Sequence, residues 1–270
     1  MEWLEHALRY EHFANALNKE GYAVYAHDLR GHGKTLGSGI KGWIGEDGWK
    51  GVILDFKKLL EIMKEENPNT PLFLYGHSIG SIIAQDIIQQ YGSLVSGVIL
   101  SSTWGKQDLL LVSLILGRII VLFRGKKREA GLYYKLGVEV CNKPFEPSNS
   151  SNSWISTLEE EVKKYDDDPL CGFKSTNDFF LETSKAIHRI WKKKNESLIP
   201  KELPIFMVSG SEDSVTNFTK YFMLLFNRYK KHGIKDLNYK IYQDARHETL
   251  NDFTRDEAIS DIIKFLNDRI

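Results

Sequence analysis

The sequence predicts an α/β protein with a mostly parallel sheet, flanked by helices and interrupted by an inserted helical cap subdomain. Three observations carry this prediction. Apolar segments of strand length alternate with helix-length segments in residues 1–103 and again in residues 201–270. Residues 104–200 lack that alternation. A Gly-x-Ser-x-Gly pattern at Gly76–Gly80 stands between an apolar run and a helical pattern. We therefore expect a core built from the two outer parts and a cap built from the middle part.

The chain before the pattern supplies two predicted helices and one predicted strand. Residues 5–19 have the periodicity of an amphipathic helix. Its predicted buried face consists of Leu8, Phe13 and Leu17. Residues 22–28 show the alternation of a strand. Residues 49–65 predict a second helix, which Asn67-Pro68 would end.

Ser78 stands at the centre of the Gly-x-Ser-x-Gly pattern. The apolar run Leu72–Tyr75 predicts a strand before it, and apolar residues at helical spacing predict a helix after it. A serine at the tip of a strained strand-to-helix turn exposes its hydroxyl, and the flanking glycines let the backbones pass closely. Free N–H groups at the helix start would face an oxyanion formed there. An ordinary glycine-rich turn would show the same pattern. A nucleophilic role for Ser78 therefore requires acid and base partners elsewhere in the chain.

The middle of the chain has a different character. Leu109–Phe123 is almost entirely apolar, and the basic run Arg124–Arg128 follows it. The apolar run is too short and too interrupted to span a bilayer, and a helix of the cap is expected. Two interpretations of that helix stay open. Its apolar face lines an acyl pocket or touches a membrane surface with the basic cluster near lipid phosphates, or it is a buried helix with a solvated charged end.

The α/β alternation then resumes. Residues 203–210 predict a strand, residues 215–231 a helix, residues 237–242 a strand and residues 255–266 a last helix. These elements complete a sheet that brackets the predicted cap.

A serine nucleophile needs an imidazole to accept its proton and a carboxylate to orient that imidazole. In a sheet of this type both partners should follow strands, in the order serine, acid, histidine. One predicted strand ends in Ser209-Gly-Ser-Glu-Asp213, which offers Asp213, with Glu212 as a substitute. The next ends in Gln243-Asp-Ala-Arg-His247, which offers His247. Order and placement together favour a Ser78–His247–Asp213 triad.

Composition excludes several other classes of protein. The 270 residues contain 36 basic and 36 acidic side chains, and this balance does not indicate a nucleic-acid partner. The two cysteines fit no metal-ligand spacing and no disulfide framework, and we expect neither a metal nor another cofactor. The first residues lack the basic start and apolar core of a signal peptide, which favours a cytoplasmic location.

Together these motifs resemble the α/β-hydrolase superfamily and, within it, the lysophospholipase/monoacylglycerol lipase family. The segments that carry the resemblance are Glu5-His6-x-x-Arg9-Tyr10, Asp28-x-Arg30-Gly31-His32-Gly33, Gly76-His77-Ser78-Ile79-Gly80, Ser209-Gly210-x-x-Asp213 and Ala245-Arg246-His247-Glu248. The resemblance implies that Ser78 is the nucleophile, Asp213 the acid and His247 the base. It also implies that the backbone N–H of Ile79 is one oxyanion donor, and that no cofactor is required.

Two departures from the family pattern stand out. Asp213 is followed by Ser214, where the family usually has proline. Relatives carry β-strands and a His-Gly pair before the Glu-His-x-x-Arg-Tyr segment, whereas Met1-Glu2 stand at the places of that pair. The resemblance then places the second oxyanion donor at Trp3, and it leads us to expect that the N-terminal strands are missing.

The leading hypothesis is a serine hydrolase that cleaves a carboxylic ester of a lipid, either a monoacylglycerol or a lysophospholipid. This substrate class follows mainly from the resemblance. A short-chain carboxylesterase is the nearest alternative. A hypothesis of another class is a catalytically impaired homologue that binds lipid or a protein partner through the cap. The expected partner is a small acyl ester, with peripheral membrane contact through the cap as a further expectation.

Overall fold

The computed structural model describes residues 5–36 and 39–270. Its sheet has four parallel strands, and their order in the sheet follows their order in the chain. The strands are β1 (Phe73–His77), β2 (Gly97–Ser101), β3 (Ile205–Gly210) and β4 (Leu237–Tyr242). Because all four run the same way, the loops that follow β1, β3 and β4 meet at one end of the sheet.

Helices cover both faces of this sheet. In the described residues the α-helices are α1 (Glu11–Lys19), α2 (Gly48–Glu66), α3 (Ile79–Tyr91), α4 (Leu110–Arg124), α5 (Gly131–Tyr133), α6 (Glu139–Asn142), α7 (Glu159–Asp167), α8 (Asn177–Ile190), α9 (Lys193–Glu196), α10 (Lys220–Lys231) and α11 (Arg255–Asn267). Alternate residues of β2 point to opposite faces, as the pleat requires. Val98 and Leu100 join a core with α2, α3, α8 and α10, while Ile99 joins a core with α1 and α11. The predicted arrangement of a parallel sheet between helices is confirmed.

The predicted strand at residues 22–28 is wrong. No strand of the described chain pairs with this segment, and a cavity of about 610 Å³ lies between it and β1. The cavity is lined by Tyr22–His27 on one side and by Leu72–Tyr75 on the other. Alternating side chains favour an extended backbone, but a strand also requires a hydrogen-bonded neighbour, which this segment lacks.

Two further details of the predicted helices are wrong. Leu8, predicted to be buried, is 55% exposed, because residues Ala7–Tyr10 form a separate 3-10 turn before α1. The helix predicted from residue 215 begins at Lys220. Residues 217–219 have φ values of 53°, 51° and 69°, and a right-handed helix cannot pass through three left-handed residues.

The inserted part of the chain is built around α4 and α8, which pack against each other. Helix α8 also contacts α2 and α3 and contributes Phe179 and Ile187 to the core beside the sheet. The partly exposed Arg189 of α8 forms an ion pair with the buried Asp86 of α3 and so joins the two helices. The boundaries of the core and the cap stay a prediction. Across the described residues, no helix is both long enough and apolar enough to cross a membrane.

Candidate active site

Ser78 occupies the turn between β1 and α3. Its φ of 51° and ψ of −122° lie outside the ordinary regions for a residue with a side chain, and such a conformation costs about 1–3 kcal/mol. Gly76 makes the turn possible, because a Cβ at that position would lie 2.4 Å from the carbonyl oxygen of Gly80. The strained turn predicted from the Gly-x-Ser-x-Gly pattern is therefore present.

Asp213 lies in the loop after β3. Its Oδ1 accepts hydrogen bonds from the backbone N–H groups of Val215, at 3.0 Å, and Thr216, at 3.4 Å. Gly210 lets this loop approach the loop after β4, since a Cβ there would lie 2.1 Å from the carbonyl oxygen of Ala245. The two loops that follow these neighbouring strands are thus held against each other by backbone contacts.

His247 joins the two other residues into one hydrogen-bonded chain. Its Nδ1–H donates to Oδ1 of Asp213 at 2.8 Å, and its Nε2 lies 3.0 Å from Oγ of Ser78. His247 and Asp213 are fully buried, and Ser78 is 3% exposed. With Nδ1 protonated, Nε2 is free to accept the hydroxyl proton of the serine. The structure therefore brings together the three residues of the predicted triad, while Glu212 makes no such contact.

Glu248, the residue after His247, belongs to a buried ion network that the sequence patterns did not predict. Arg9 donates two hydrogen bonds of 2.6 Å to the two carboxylate oxygens of Glu248, and one of 2.7 Å to Glu5. Burial alone would lower the pKa of Arg9, but the carboxylates of Glu248 and Glu5 outweigh that effect and raise it well above its ordinary value. The network fixes the residue next to His247.

The inserted part of the chain also holds the histidine loop. The N–H of Glu248 donates to the carbonyl oxygen of Ile155 at 2.8 Å, and the N–H of His247 donates to that of Trp154 at 3.4 Å. The Trp154 ring lies 5.1 Å from the His247 ring. The sequence patterns gave no indication that Trp154 lies against the site.

Two other histidines near the site do not join the hydrogen-bonded chain. The His77 side chain turns away from the Ser78 hydroxyl, and its Nδ1 lies 2.9 Å from Oγ of Ser101. Burial, with the neighbouring His247, lowers the pKa of His77 well below its usual value. His32 is packed between Phe173 and Phe179, and burial lowers its pKa to about 4. Both histidines are neutral parts of the packing at pH 7.

Of the two predicted oxyanion donors, only Ile79 lies within the described residues. Ile79 is the first residue of α3, where the N–H of an α-helix has no acceptor within the helix. This N–H is therefore available to an oxyanion formed at Ser78. Trp3, the second predicted donor, lies outside the described residues, as does the chain start to which the expectation of missing strands refers. Both of those expectations stay predictions.

One group of side chains has the composition of a metal site. The ligand atoms of His6, Asp168 and Cys171 lie within 4.8 Å of one another. His6 Nε2 and Asp168 Oδ2 already form a hydrogen bond of 2.8 Å, which is closer than two ligands of one ion would lie. Burial raises the pKa of the Cys171 thiol, so that the thiol stays protonated. We therefore interpret the group as a hydrogen-bonded pair beside a neutral thiol.

Comparison with known proteins places this chain in a family. The family model described as serine aminopeptidase, S33 (Hydrolase_4), matches residues 3–254. The chain belongs to this family of α/β-hydrolases. The predicted family and fold are confirmed.

Individual relatives of this α/β-hydrolase agree with the family. Human monoglyceride lipase is 27% identical over 251 residues, which cover 90% of this chain and 72% of the human protein. A thermostable carboxyl esterase from Bacillus coagulans, solved in complex with glycerol, is 27% identical with a TM-score of 0.92, covering 99% of this chain and 87% of its own. The monoacylglycerol lipase of Paleococcus ferrophilus is 21% identical with a TM-score of 0.72, covering 98% of this chain and 91% of its own. At that identity the last likeness concerns the fold alone.

Proposed function

We propose that this protein hydrolyses the carboxylic ester of a monoacylglycerol or a lysophospholipid through an acyl-enzyme on Ser78. The broader assignment of the chain as a carboxylic ester hydrolase agrees with the names of its relatives. One observation carries the mechanism. The hydrogen bonds from His247 to Asp213, at 2.8 Å, and between Ser78 and His247, at 3.0 Å, are those that a serine nucleophile and its base require.

In the acylation step the Ser78 hydroxyl oxygen attacks the ester carbonyl carbon, and its proton passes to Nε2 of His247. Asp213 stabilises the imidazolium that forms, since its Oδ1 already accepts the Nδ1–H. The negative charge on the former carbonyl oxygen is stabilised by the N–H of Ile79 and by the start of α3. His247 then returns the proton to the leaving alcohol, and the acyl group remains on Ser78.

In the deacylation step a water molecule replaces the alcohol. His247 accepts a proton from this water as its oxygen attacks the acyl carbon. Collapse of the second tetrahedral intermediate breaks the bond to Ser78, which recovers its proton from His247. The products are a carboxylic acid and an alcohol, so atoms and charge balance without a cofactor.

The lipid substrate is supported by relatives and by composition. Human monoglyceride lipase matches 90% of the chain, and the inserted part contains the strongly apolar helix α4. The esterase from Bacillus coagulans, at a TM-score of 0.92, favours a short-chain carboxylesterase as the second candidate. A lysophospholipid substrate, a cytoplasmic location and contact of residues 104–200 with a membrane stay predictions.

A fluorophosphonate probe tests the mechanism, because it reacts only with an activated serine. We expect one probe molecule per chain, mapped to the peptide that carries Ser78 by mass spectrometry. The variants Ser78→Ala and His247→Ala should lose labelling, whereas Ser93→Ala, at an exposed serine, should keep it. A folded protein that takes up no probe would contradict the proposal and favour a catalytically impaired homologue.

The acyl chain length then separates the two candidate substrates. Glycerol monoesters with short and long acyl chains are compared by kcat/KM under the same conditions. The lipid hypothesis expects kcat/KM to rise with each added methylene, since burial of one contributes about 0.8 kcal/mol, or about fourfold. Activity confined to the shortest esters would favour the short-chain carboxylesterase.

A further inference from the structure

The residue before His247 is Arg246, and its side chain binds main-chain oxygens of the inserted part of the chain. Its Nη1 donates hydrogen bonds to the carbonyl oxygens of Ser153, at 2.7 Å, and Ser156, at 2.9 Å. Its guanidinium carbon lies 4.1 Å from the centre of the Phe145 ring. A hydrogen bond from a charged donor is about twice as strong as one between neutral groups. One guanidinium that binds both carbonyls therefore fixes the short segment between them.

The carboxylate of Asp252 ties segment 153–156 to the histidine loop (residues 243–252) a second time. Its Oδ1 accepts a hydrogen bond at 3.1 Å from the N–H of Thr157, the residue that follows the segment. Its Oδ2 accepts one at 2.9 Å from the N–H of Arg246. Asp252 is buried, so water does not compete for these bonds. Both side chains, that of Arg246 and that of Asp252, come from the loop and reach the main chain of the inserted part.

Segment 153–156 carries Trp154, whose ring contacts the imidazole of His247. The two ring centres lie 5.1 Å apart, and Trp154 is buried. The χ2 torsion of a histidine has broad wells, so the hydrogen bond from Nδ1 to Asp213 leaves the imidazole some freedom to pivot. A buried indole ring against the imidazole removes much of that freedom, because close-packed neighbours resist displacement. The segment therefore restrains the ring of the predicted base.

Arg228 on α10 makes the same kinds of contact away from the histidine loop. Its guanidinium carbon lies 4.1 Å from the centre of the Trp191 ring, and its Nη2 donates to the Trp191 carbonyl oxygen at 2.6 Å. It also forms an ion pair with the buried Glu196. Because its substitution removes an ion pair as well as these contacts, it should cost at least as much stability as that of Arg246. Arg228 is therefore a matched control for a role in stability alone.

We propose that Arg246 is a positioning residue for the hydrolysis proposed above, and this inference rests on that function. Its two hydrogen bonds hold segment 153–156 in place and so keep the Trp154 ring against His247. Nε2 of that histidine lies 3.0 Å from the Ser78 hydroxyl oxygen, and a displacement of about 1 Å at a reacting group can lower a rate by about 10²-fold. Arg246 itself takes no part in the proton transfers and acts through Trp154.

Hydrolysis of a small soluble ester tests the role of Arg246. Arg246→Met should lower kcat by about 10- to 100-fold and leave KM nearly unchanged, because the orientation of the base matters in the transition state and not in ester binding. Arg246→Lys keeps a charged donor for one carbonyl and should recover part of the loss. Arg228→Met should keep the kcat of the parent, even where thermal unfolding shows a lower Tm. Rates are measured below the unfolding transition of every variant.

A double-mutant cycle with Trp154 shows whether Arg246 acts through that ring. Trp154→Leu alone should lower kcat by a similar factor. The double variant should then lose little more than Trp154→Leu alone, whereas independent roles would multiply the two losses. Multiplied losses would contradict the proposal that Arg246 acts through Trp154.

The proton that joins His247 to Asp213 gives a readout that needs no turnover. This Nδ1–H is buried and hydrogen-bonded at 2.8 Å, and proton NMR identifies it by its loss in His247→Ala. Its exchange with water should be faster in Arg246→Met than in the parent, because a released segment lets the histidine loop open more often. Arg228→Met should leave the exchange unchanged.

Two further results would overturn the proposal. Equal kcat and equal proton exchange in Arg246→Met and the parent would show that Arg246 does not position His247. Equal losses of kcat in Arg246→Met and Arg228→Met would assign Arg246 to stability alone. A parent that takes up no fluorophosphonate would instead contradict the proposed hydrolysis, and the proton exchange would still decide whether Arg246 restrains His247. Failure of one proposal is thus distinguishable from failure of the other.

Discussion

The end of the sheet that carries the candidate site and the free edge beside β1 differ sharply in how they are held. After β3 and β4, a side-chain hydrogen bond joins Asp213 to His247, and both residues are fully buried. Beside β1, the extended residues 22–28 face a cavity of about 610 Å³ and pair with no strand of the described chain. Both regions have clear sequence patterns. The difference shows that a sequence pattern forms the predicted structure only where the residues that pair with it are in place.

The largest loss of activity is expected from a substitution at Asp213, which is fully buried and hydrogen-bonded to His247. Asp213→Asn should lower kcat by about 10⁴-fold, because an asparagine at this position no longer selects the tautomer of His247 that accepts the serine proton. Hydrolysis of a soluble ester gives kcat, and thermal unfolding checks that the fold is intact. The matched control is Glu212→Gln, which should leave kcat nearly unchanged. A large loss in that variant and none at Asp213 would transfer the role of the acid to Glu212.

The same contrast explains which features the sequence could predict. The order serine, acid, histidine and the strand before each residue are local properties, and they led to Ser78, Asp213 and His247, which the structure brings together. The strand at residues 22–28 was predicted wrongly, since alternation does not reveal whether a neighbour is present. The contact of Arg9 with Glu248 joins residues that are 239 positions apart, and no local periodicity reports it.

The ion network beside His247 should dominate the stability of this end of the sheet. Arg9→Leu leaves Glu5 and Glu248 buried without their cation, which should lower the free energy of unfolding by about 3–5 kcal/mol. Chemical denaturation measures this loss. The control is Lys163→Leu, which removes an exposed ion pair with Asp167 and should cost less than about 1 kcal/mol. Similar losses in the two variants would mean that burial does not strengthen the dependence on Arg9.

The smallest of these effects compares two leucines on neighbouring strands. Leu100 on β2 is fully buried between packed layers, and Leu100→Ala should cost about 2–5 kcal/mol. Leu74 on β1 lines the cavity and is only partly buried, so Leu74→Ala removes fewer contacts and should cost less than half as much. Denaturation of the two variants under identical conditions gives the difference. Equal costs would mean that the space beside β1 is filled in solution, and the contrast between the two regions would then disappear.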